Sequence, residues 1–310
     1  MPRRAPSFTA AQSTNVRSTV LGALGGTLRA LERTAPPLAA GLAEVLFRTP
    51  HRHRAPARER DWLAGSRPLL LRYGGEALPA WAWGEGPAVL LLHGWEGRGG
   101  QMGALAAGIA AAGFTAVAFD APAHGGSRRR LGSLPQFASA LKAAATEVGG
   151  ARAVVAHSFG AAAACWAVAE GMAVDRLALL APAWDLDGYM TRFGELLGVR
   201  RATVDAMVSR LERRFAFDWS VARRPAVAAA RRAPDTDVLV VHDAEDEETP
   251  WQGGAEVARA WPRGDLLTTR GLGHRRLLRD PGVVAAVAGF VAGAALTGDR
   301  EPERVALAGR

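Results

Sequence analysis

Cysteine is nearly absent: Cys165 is the only one in 310 residues, so the chain can form no internal disulfide and cannot assemble a thiolate metal site. That excludes a stapled secreted scaffold and a zinc module. It suits a reducing compartment, and a cytoplasmic location is expected. Lysine is almost as scarce, with Lys142 alone among 38 basic residues. The preference for arginine runs along the whole chain, and a net charge of +8 built that way is weak evidence for a polyanion partner. Residues 1–60 hold ten arginines against Glu32, Glu44 and Glu59, whereas residues 61–310 carry 28 basic and 27 acidic groups. With so even a body, nucleic-acid binding is not expected. Long apolar runs are missing as well. Gly, Arg, Asp or Pro interrupts every Ala/Leu/Val stretch before it reaches the ~20 residues that a membrane-spanning helix needs. No glycine-rich loop with a lysine offers a phosphate cradle, and no His/Asp cluster has metal-ligand spacing, so neither cofactor nor metal is expected.

What is present, 49% apolar and 22% charged residues, suits one globular domain with a full core. Residues 1–18 are polar and rich in Pro, Ser, Thr and Arg, which predicts a mobile start. Met1-Pro2-Arg3-Arg4 has the charge of a secretory leader, but the apolar run that should follow is short, late and split by Gly22, Gly25 and Gly26, so no signal peptide is expected. Val20, Leu21, Leu24, Leu28 and Leu31, then Leu38, Leu42, Val45 and Leu46 after Pro36-Pro37, fall at helical spacing and predict two short amphipathic helices. The plainer expectation is that they pack on the domain surface; the alternative is a weak contact of residues 19–60 with a membrane surface through a basic, apolar-faced helix. Residues 48–60 read as an exposed linker with His51 and His53 solvated. The expected division is an N-terminal extension over 1–60, a main domain over 61–295 and a polar tail over 296–310.

From residue 68 onward short β-type runs alternate with helical segments, as in an α/β fold with a mostly parallel sheet flanked by helices. Eight strands are predicted, at 69–72, 78–83, 88–92, 115–119, 152–156, 176–180, 237–242 and 265–269, with helices at 100–112, 134–148, 158–170, 252–260 and 281–293. The alternation lapses over 184–233. There Tyr189, Phe193, Leu196 and Leu197, then Val204, Met207, Val208 and Leu211, predict two extra helices after the sixth strand, an insertion that could form a lid.

The chemistry gathers at strand ends. Val154-Val155-Ala156-His157-Ser158-Phe159-Gly160 is an apolar strand, a sharp turn and the start of a small-residue helix, the setting of a nucleophile elbow that lifts a serine hydroxyl above the sheet. The string alone is weak in a chain so rich in Ala and Gly, and an ordinary helix N-cap would also use Ser158; the strand running into it is what the cap reading leaves unexplained. A serine needs an imidazole within hydrogen-bond reach and a group that fixes the imidazole's tautomer. His274, in a Gly-flanked loop after the last strand, and Asp246, in the loop after the seventh, supply both in the order Ser158, Asp246, His274. Asp243 and Asp185 remain as other acids. Leu90-Leu-Leu-His93-Gly94-Trp95 is a further strand, and the amides of Trp95 and Phe159 are the expected oxyanion donors.

Taken together, His93-Gly94-Trp95, Phe119-Asp120-Ala-Pro-Ala-His124-Gly125-Gly-Ser127, the Ser158 elbow, the Asp246 loop ending at Pro250 and Gly273-His274 resemble the α/β-hydrolase superfamily over residues 68–294. The resemblance implies a Ser158–Asp246–His274 triad, with Asp246 chosen by its distance from Pro250, and structural roles for Asp120 and His124. Ala123 and Ala156 stand where the family usually has Gly, and Asp243 where Gly usually follows the histidine of the acid loop. The expected activity is that of a serine esterase acting on a small-molecule acyl substrate, with Trp184, like Trp95 and Phe159, lining the acyl pocket. A thioesterase, a carbon–carbon hydrolase, a perhydrolase or a non-catalytic binding protein of the same fold are the alternatives. Cys165 and the remaining tryptophans, Trp219 among them, read as packing.

Overall fold

Residues 24–294 are described by a computed structural model. The start over 1–18, Val20 and Leu21 of the first amphipathic segment, and the tail over 296–310 lie outside the described residues. The strands are β1 (Arg67–Tyr73), β2 (Glu76–Trp83), β3 (Ala88–Leu92), β4 (Thr115–Phe119), β5 (Ala153–His157), β6 (Arg176–Leu180), β7 (Asp237–Asp243) and β8 (Gly264–Thr269), each within two residues of its predicted bounds. They form one sheet in the order β1-β2-β4-β3-β5-β6-β7-β8, in which β2 runs against both its neighbours and every other pair is parallel. This is the α/β-hydrolase fold. The central strands are apolar on both faces because helices cover both. Val154 and Ala156 of β5 join one core layer, Ala153 and Val155 the other, and β3, β6 and β7 alternate in the same way.

The helices, in chain order, begin with α1 (seen over 24–34), α2 (Pro36–Arg48), α3 (Ala57–Ala64), α4 (Gly103–Ala111), α5 (Leu134–Glu147) and α6 (Phe159–Ala169). They continue with α7 (Leu186–Leu197), α8 (Arg201–Phe215), α9 (Trp219–Ala222), α10 (Pro225–Arg232), α11 (Trp251–Ala260), α12 (Gly273–Arg276) and α13 (Pro281–Ala292). Helices α5, α6, α10 and α11 cover one face of the sheet and α4 and α13 the other. Strand β3 lies between β4 and β5, with Leu90 opposite both Val117 and Val154. The chain leaves β3 towards β4 on one side and later returns to β5 on the other. Such a reversal opens a crevice at the carboxyl ends of the two strands, where ligands bind in open α/β sheets.

A third apolar cluster sits apart from the sheet. Leu28, Ala39 and Ala43 of α1 and α2 pack against Met190, Leu197, Val204, Met207 and Val208 of α7 and α8. The N-terminal helices and the insertion after β6 thus share one core, while Leu38 and Val45 on the far side of α2 stay exposed. Two buried carboxylates pin this layer. Glu44 accepts hydrogen bonds from Arg48 (3.1 Å), Arg210 (3.0 Å) and Arg214 (2.6 Å), and Glu32 accepts from the Thr203 hydroxyl (2.5 Å) and the Arg200 amide (2.8 Å).

Two expectations are corrected. Residues 48–60 are not an exposed linker throughout: Arg48 and Glu59 are buried and residues from Ala57 onward are helical. Two of the charges in this stretch are met by distant partners, Glu59 by Arg98 and Arg52 by the carbonyls of Ala123 and Gly125. Over 184–233 there are four helices rather than two, and α10 packs on α6 as part of the sheet's cover, which leaves α7, α8 and α9 as the inserted layer.

Burial alone would raise the Glu44 carboxyl, but its guanidinium partners outweigh burial and hold it below its ordinary value of 4.5. Its contribution to stability is therefore complete above that value and is lost as pH falls through the lowered one. Glu44→Gln should cost about 2–4 kcal/mol near neutrality by leaving the three arginines without a counter-charge. In urea unfolding the gap between wild type and variant should narrow below about pH 4.5; a gap independent of pH would contradict this account of the carboxylate.

Candidate active site

Ser158 sits between the end of β5 and the start of α6 with φ 54° and ψ −120°, a conformation that L side chains rarely adopt. Backbone hydrogen bonds hold it there. Its amide donates to the Leu180 carbonyl (2.9 Å), and its own carbonyl accepts from Ala161 (3.0 Å) and Ala183 (3.1 Å). The turn also needs room beneath it: a Cβ on Gly160 would lie 2.3 Å from the His93 carbonyl oxygen, and one on Gly94 would lie 2.9 Å from the Ser158 Cβ. The two glycines let the loop after β3 and the elbow after β5 meet across the crevice.

His274, on the single turn α12, lies with Nε2 2.9 Å from Ser158 Oγ and Nδ1 2.8 Å from Asp246 Oδ2. A carboxylate on Nδ1 fixes the tautomer: Nδ1 carries the proton and donates it to Asp246, and Nε2 accepts from the serine hydroxyl. Asp246 is saturated. Its Oδ1 accepts from the amides of Glu248 (2.8 Å) and Thr249 (2.9 Å), and its Oδ2 also accepts from the Thr249 hydroxyl (2.8 Å), with His242 Nε2 at 3.3 Å. Burial by itself would raise this carboxyl; the hydrogen bonds from His242, His274 and Thr249 reverse that and keep it ionised far below the usual carboxylate range. The other acids do different work. Asp243 accepts from the Thr269 hydroxyl (2.7 Å) and the Leu272 amide (2.9 Å), framing the loop that delivers His274. Asp185 stands at the N-terminus of α7 with no hydrogen bond to His274 among the described residues.

Trp95 lies in the turn closed by the Gly97 amide on the Gly94 carbonyl (3.0 Å), and Phe159 is the first residue of α6, where an amide has no intrahelical acceptor. Both border the crevice at Ser158. His93 braces the turn: its Nε2 accepts from the Ala121 amide (3.0 Å), so Nδ1 bears the proton donated to the Gly94 carbonyl (2.7 Å). Burial holds its pKa well below the ordinary value, and it stays neutral. Asp120 accepts from the amides of Gly99 and Gly126 (both 2.7 Å), and His124 bonds the Pro122 carbonyl (3.0 Å). Ala123 lies in this loop with φ 71°, the left-handed conformation that favours glycine.

A cavity of about 510 Å³ reaches Ser158 and His274, with Phe47, Trp95, Phe159, Leu186, Met190 and Trp219 on its apolar side. Trp184, expected in the acyl pocket, is not among its walls. Its indole packs against Gly253 of α11, with the Arg224 guanidinium 4.0 Å over the ring. Sequence reading missed Phe47 and Trp219, whose placement depends on how the helical layer folds back. It also missed His157, whose Nε2 bonds the His274 carbonyl (2.9 Å) and whose pKa burial lowers to about 3. It likewise missed Thr249, whose hydroxyl donates to Asp246 Oδ2 (2.8 Å). Cys165 is buried with its thiol pushed up to about 12, away from any nucleophilic role. Among the described residues no group of His, Cys, Asp or Glu could hold a metal ion, and no helix is long and apolar enough to cross a membrane.

The sequence matches the model of the alpha/beta hydrolase family over residues 89–287, and the chain belongs to that family. No curated protein matches it. Among solved structures it is similar to Est1E of Butyrivibrio proteoclasticus with ferulic acid bound (20% identity, 73% of this chain and 98% of that one, TM-score 0.54). It is also similar to a bromoperoxidase from Bacillus anthracis (13% identity, 73% and 100%, TM-score 0.54). A third is the thioesterase domain from the curacin biosynthetic pathway (19% identity, 73% and 98%, TM-score 0.51). At these identities the likeness establishes the fold.

Because the atoms that would meet a Gly160 Cβ are backbone carbonyls, they cannot swing aside. Gly160→Ala should lower the unfolding free energy by about 1–3 kcal/mol. Gly26→Ala on α1, which meets nothing within 4 Å, should be neutral or slightly stabilising. Chemical denaturation of the two variants checks this, and equal stability would remove the close-approach argument.

Proposed function

We propose that the chain is a serine hydrolase that cleaves a carboxylic ester, or a related acyl substrate, through an acyl-enzyme intermediate. The observation that carries the reading is one imidazole hydrogen-bonded on its two nitrogens by a strained serine and by an ionised, fully bonded carboxylate. In this reading His274 Nε2 takes the Ser158 proton as Oγ adds to the carbonyl carbon, and the carbonyl electron pair moves onto oxygen, where the amides of Trp95 and Phe159 receive it. The oxyanion then collapses, the bond to the leaving group breaks, and His274 returns the proton to the departing oxygen. Water adds next, its proton going to His274, and Ser158 leaves with that proton as the carboxylic acid departs. Asp246 orients His274 and stabilises the imidazolium formed in each half. His157 and Thr249 act as positioning residues, one on the backbone of the base and the other on the acid. A thioester would be handled by the same atoms, so the apolar chamber beside Ser158 constrains the acyl group more than the linkage.

The test is turnover of nitrophenyl esters of graded chain length. Ser158→Ala and His274→Ala should each lower kcat by about three or more orders of magnitude, and Asp246→Asn by roughly 10³–10⁴. Folded wild-type protein that turns over no ester faster than the Ser158→Ala variant would sink the reading and bring a non-catalytic binding role forward.

A further inference from the structure

The mouth of the active-site cavity carries more positive charge than its own acids neutralise. Four arginines border it, Arg58, Arg98, Arg275 and Arg279. Glu59 takes Arg98 through two hydrogen bonds of 2.5 and 2.9 Å, and Glu248 takes Arg275 at 3.0 Å. The third acid at the mouth, Glu96, faces His53 at 3.7 Å. Arg58 and Arg279 are exposed and have no carboxylate within salt-bridge distance among the described residues. They come from segments far apart in sequence, yet α3 and the 3-10 turn Leu277–Arg279 both pack on the 3-10 turn Gly99–Met102, so both guanidiniums belong to one rim. Arg279 comes from a body whose residues 61–310 balance to within one charge, and Arg58 from the basic segment 1–60.

Its position relative to the base gives it meaning. The turn that bears His274 runs directly into Leu277–Arg279, so Arg279 follows His274 by five residues and borders the same cavity. Phe47, Phe159, Met190 and Trp219 give the chamber an apolar wall. Guanidinium groups match the planar carboxylate and the tetrahedral phosphate through paired N–H donors. Resting on the hydrolase reading above, we propose that the substrate's leaving group carries an anionic carboxylate or phosphate, bound at the cavity mouth by Arg58 and Arg279 while the acyl group fills the apolar chamber. Arg58 lies outside the span matched to the family, on the N-terminal arm, so the preference would be a feature of this chain.

Two ester pairs test it, each pair sharing its acyl group. One is a nitrophenyl butyrate beside the same ester with a carboxylate on the nitrophenyl ring. The other is the butyryl thioester of N-acetylcysteamine beside that of phosphopantetheine. The ratio of kcat/KM, anionic over neutral, should fall about tenfold in the Arg58→Gln/Arg279→Gln double variant for at least one pair. Whichever pair responds identifies the anion. In wild type, raising salt to about 0.5 M should depress the same ratio, and in the double variant it should not. Arg60→Gln, on the same helix but outside the cavity, should leave the ratio unchanged. Failure of the hydrolase reading is seen separately, as turnover of the neutral ester that survives Ser158→Ala. An arm without catalysis covers that case: in Ser158→Ala protein, calorimetric affinity for the carboxylated nitrophenol and for phosphopantetheine is compared with and without the two arginines. A ratio within twofold of wild type for both pairs, together with unchanged affinities, overturns the proposal.

Discussion

The backbone at Ser158 is bent into a conformation that costs about 1–3 kcal/mol for a residue with a side chain, and the rest of the molecule is arranged so that it has nowhere else to go. Its amide and carbonyl are tied to the end of β6 and the loop beyond it, and the two strands beneath it are joined along their length, Leu90 to Val154 and Leu92 to Ala156. Gly94 and Gly160 permit the approach that this requires. The rigid sheet therefore fixes a hydroxyl, two candidate oxyanion amides and the carbonyl of His93 relative to one another before any ligand arrives. His274 is placed from the other direction, by Asp246 on its ring and by His157 on its own carbonyl. That second tie links His274 to the residue before Ser158, so the candidate base and the candidate nucleophile share one support.

Around this fixed centre the chain builds a cover from two separate pieces. The helices before the sheet and those inserted after β6 close over a common apolar cluster and two buried carboxylates. Phe47 from one piece and Trp219 from the other face the same cavity. The shape of the chamber is thus decided by contacts between segments about 170 residues apart, such as Glu44 with Arg214. Sequence changes in the N-terminal arm would reach the chamber directly, without passing through the sheet.

The strands could be read from the sequence because each is a local run of apolar, β-favouring residues bounded by Gly, Pro or charge, and a buried parallel strand declares itself that way. The candidate triad was legible for a related reason: each member lies just past a strand, and a parallel sheet brings the carboxyl ends of its strands to one edge. Residues 48–60 misled because a run of Arg and His is normally solvated, and nothing local in Glu59 says that Arg98 will reach it. Trp184 misled by proximity to a strand end; Gly253, which lets the indole approach α11 closely, is visible as a glycine but not as its partner. His157 and His242 look like ordinary strand residues in sequence. Their contacts to the backbone of His274 and to Asp246 arise only when the strand ends align.

The central claim is that Ser158 is a nucleophile made reactive by His274. The most direct measurement is the site and stoichiometry of covalent labelling by a fluorophosphonate, read by peptide mapping in a mass spectrometer on folded protein. The account predicts one adduct per chain, on Ser158, absent in Ser158→Ala and formed far more slowly in His274→Ala. Absence of labelling in folded protein, or an adduct on another residue that persists in both variants, would contradict it.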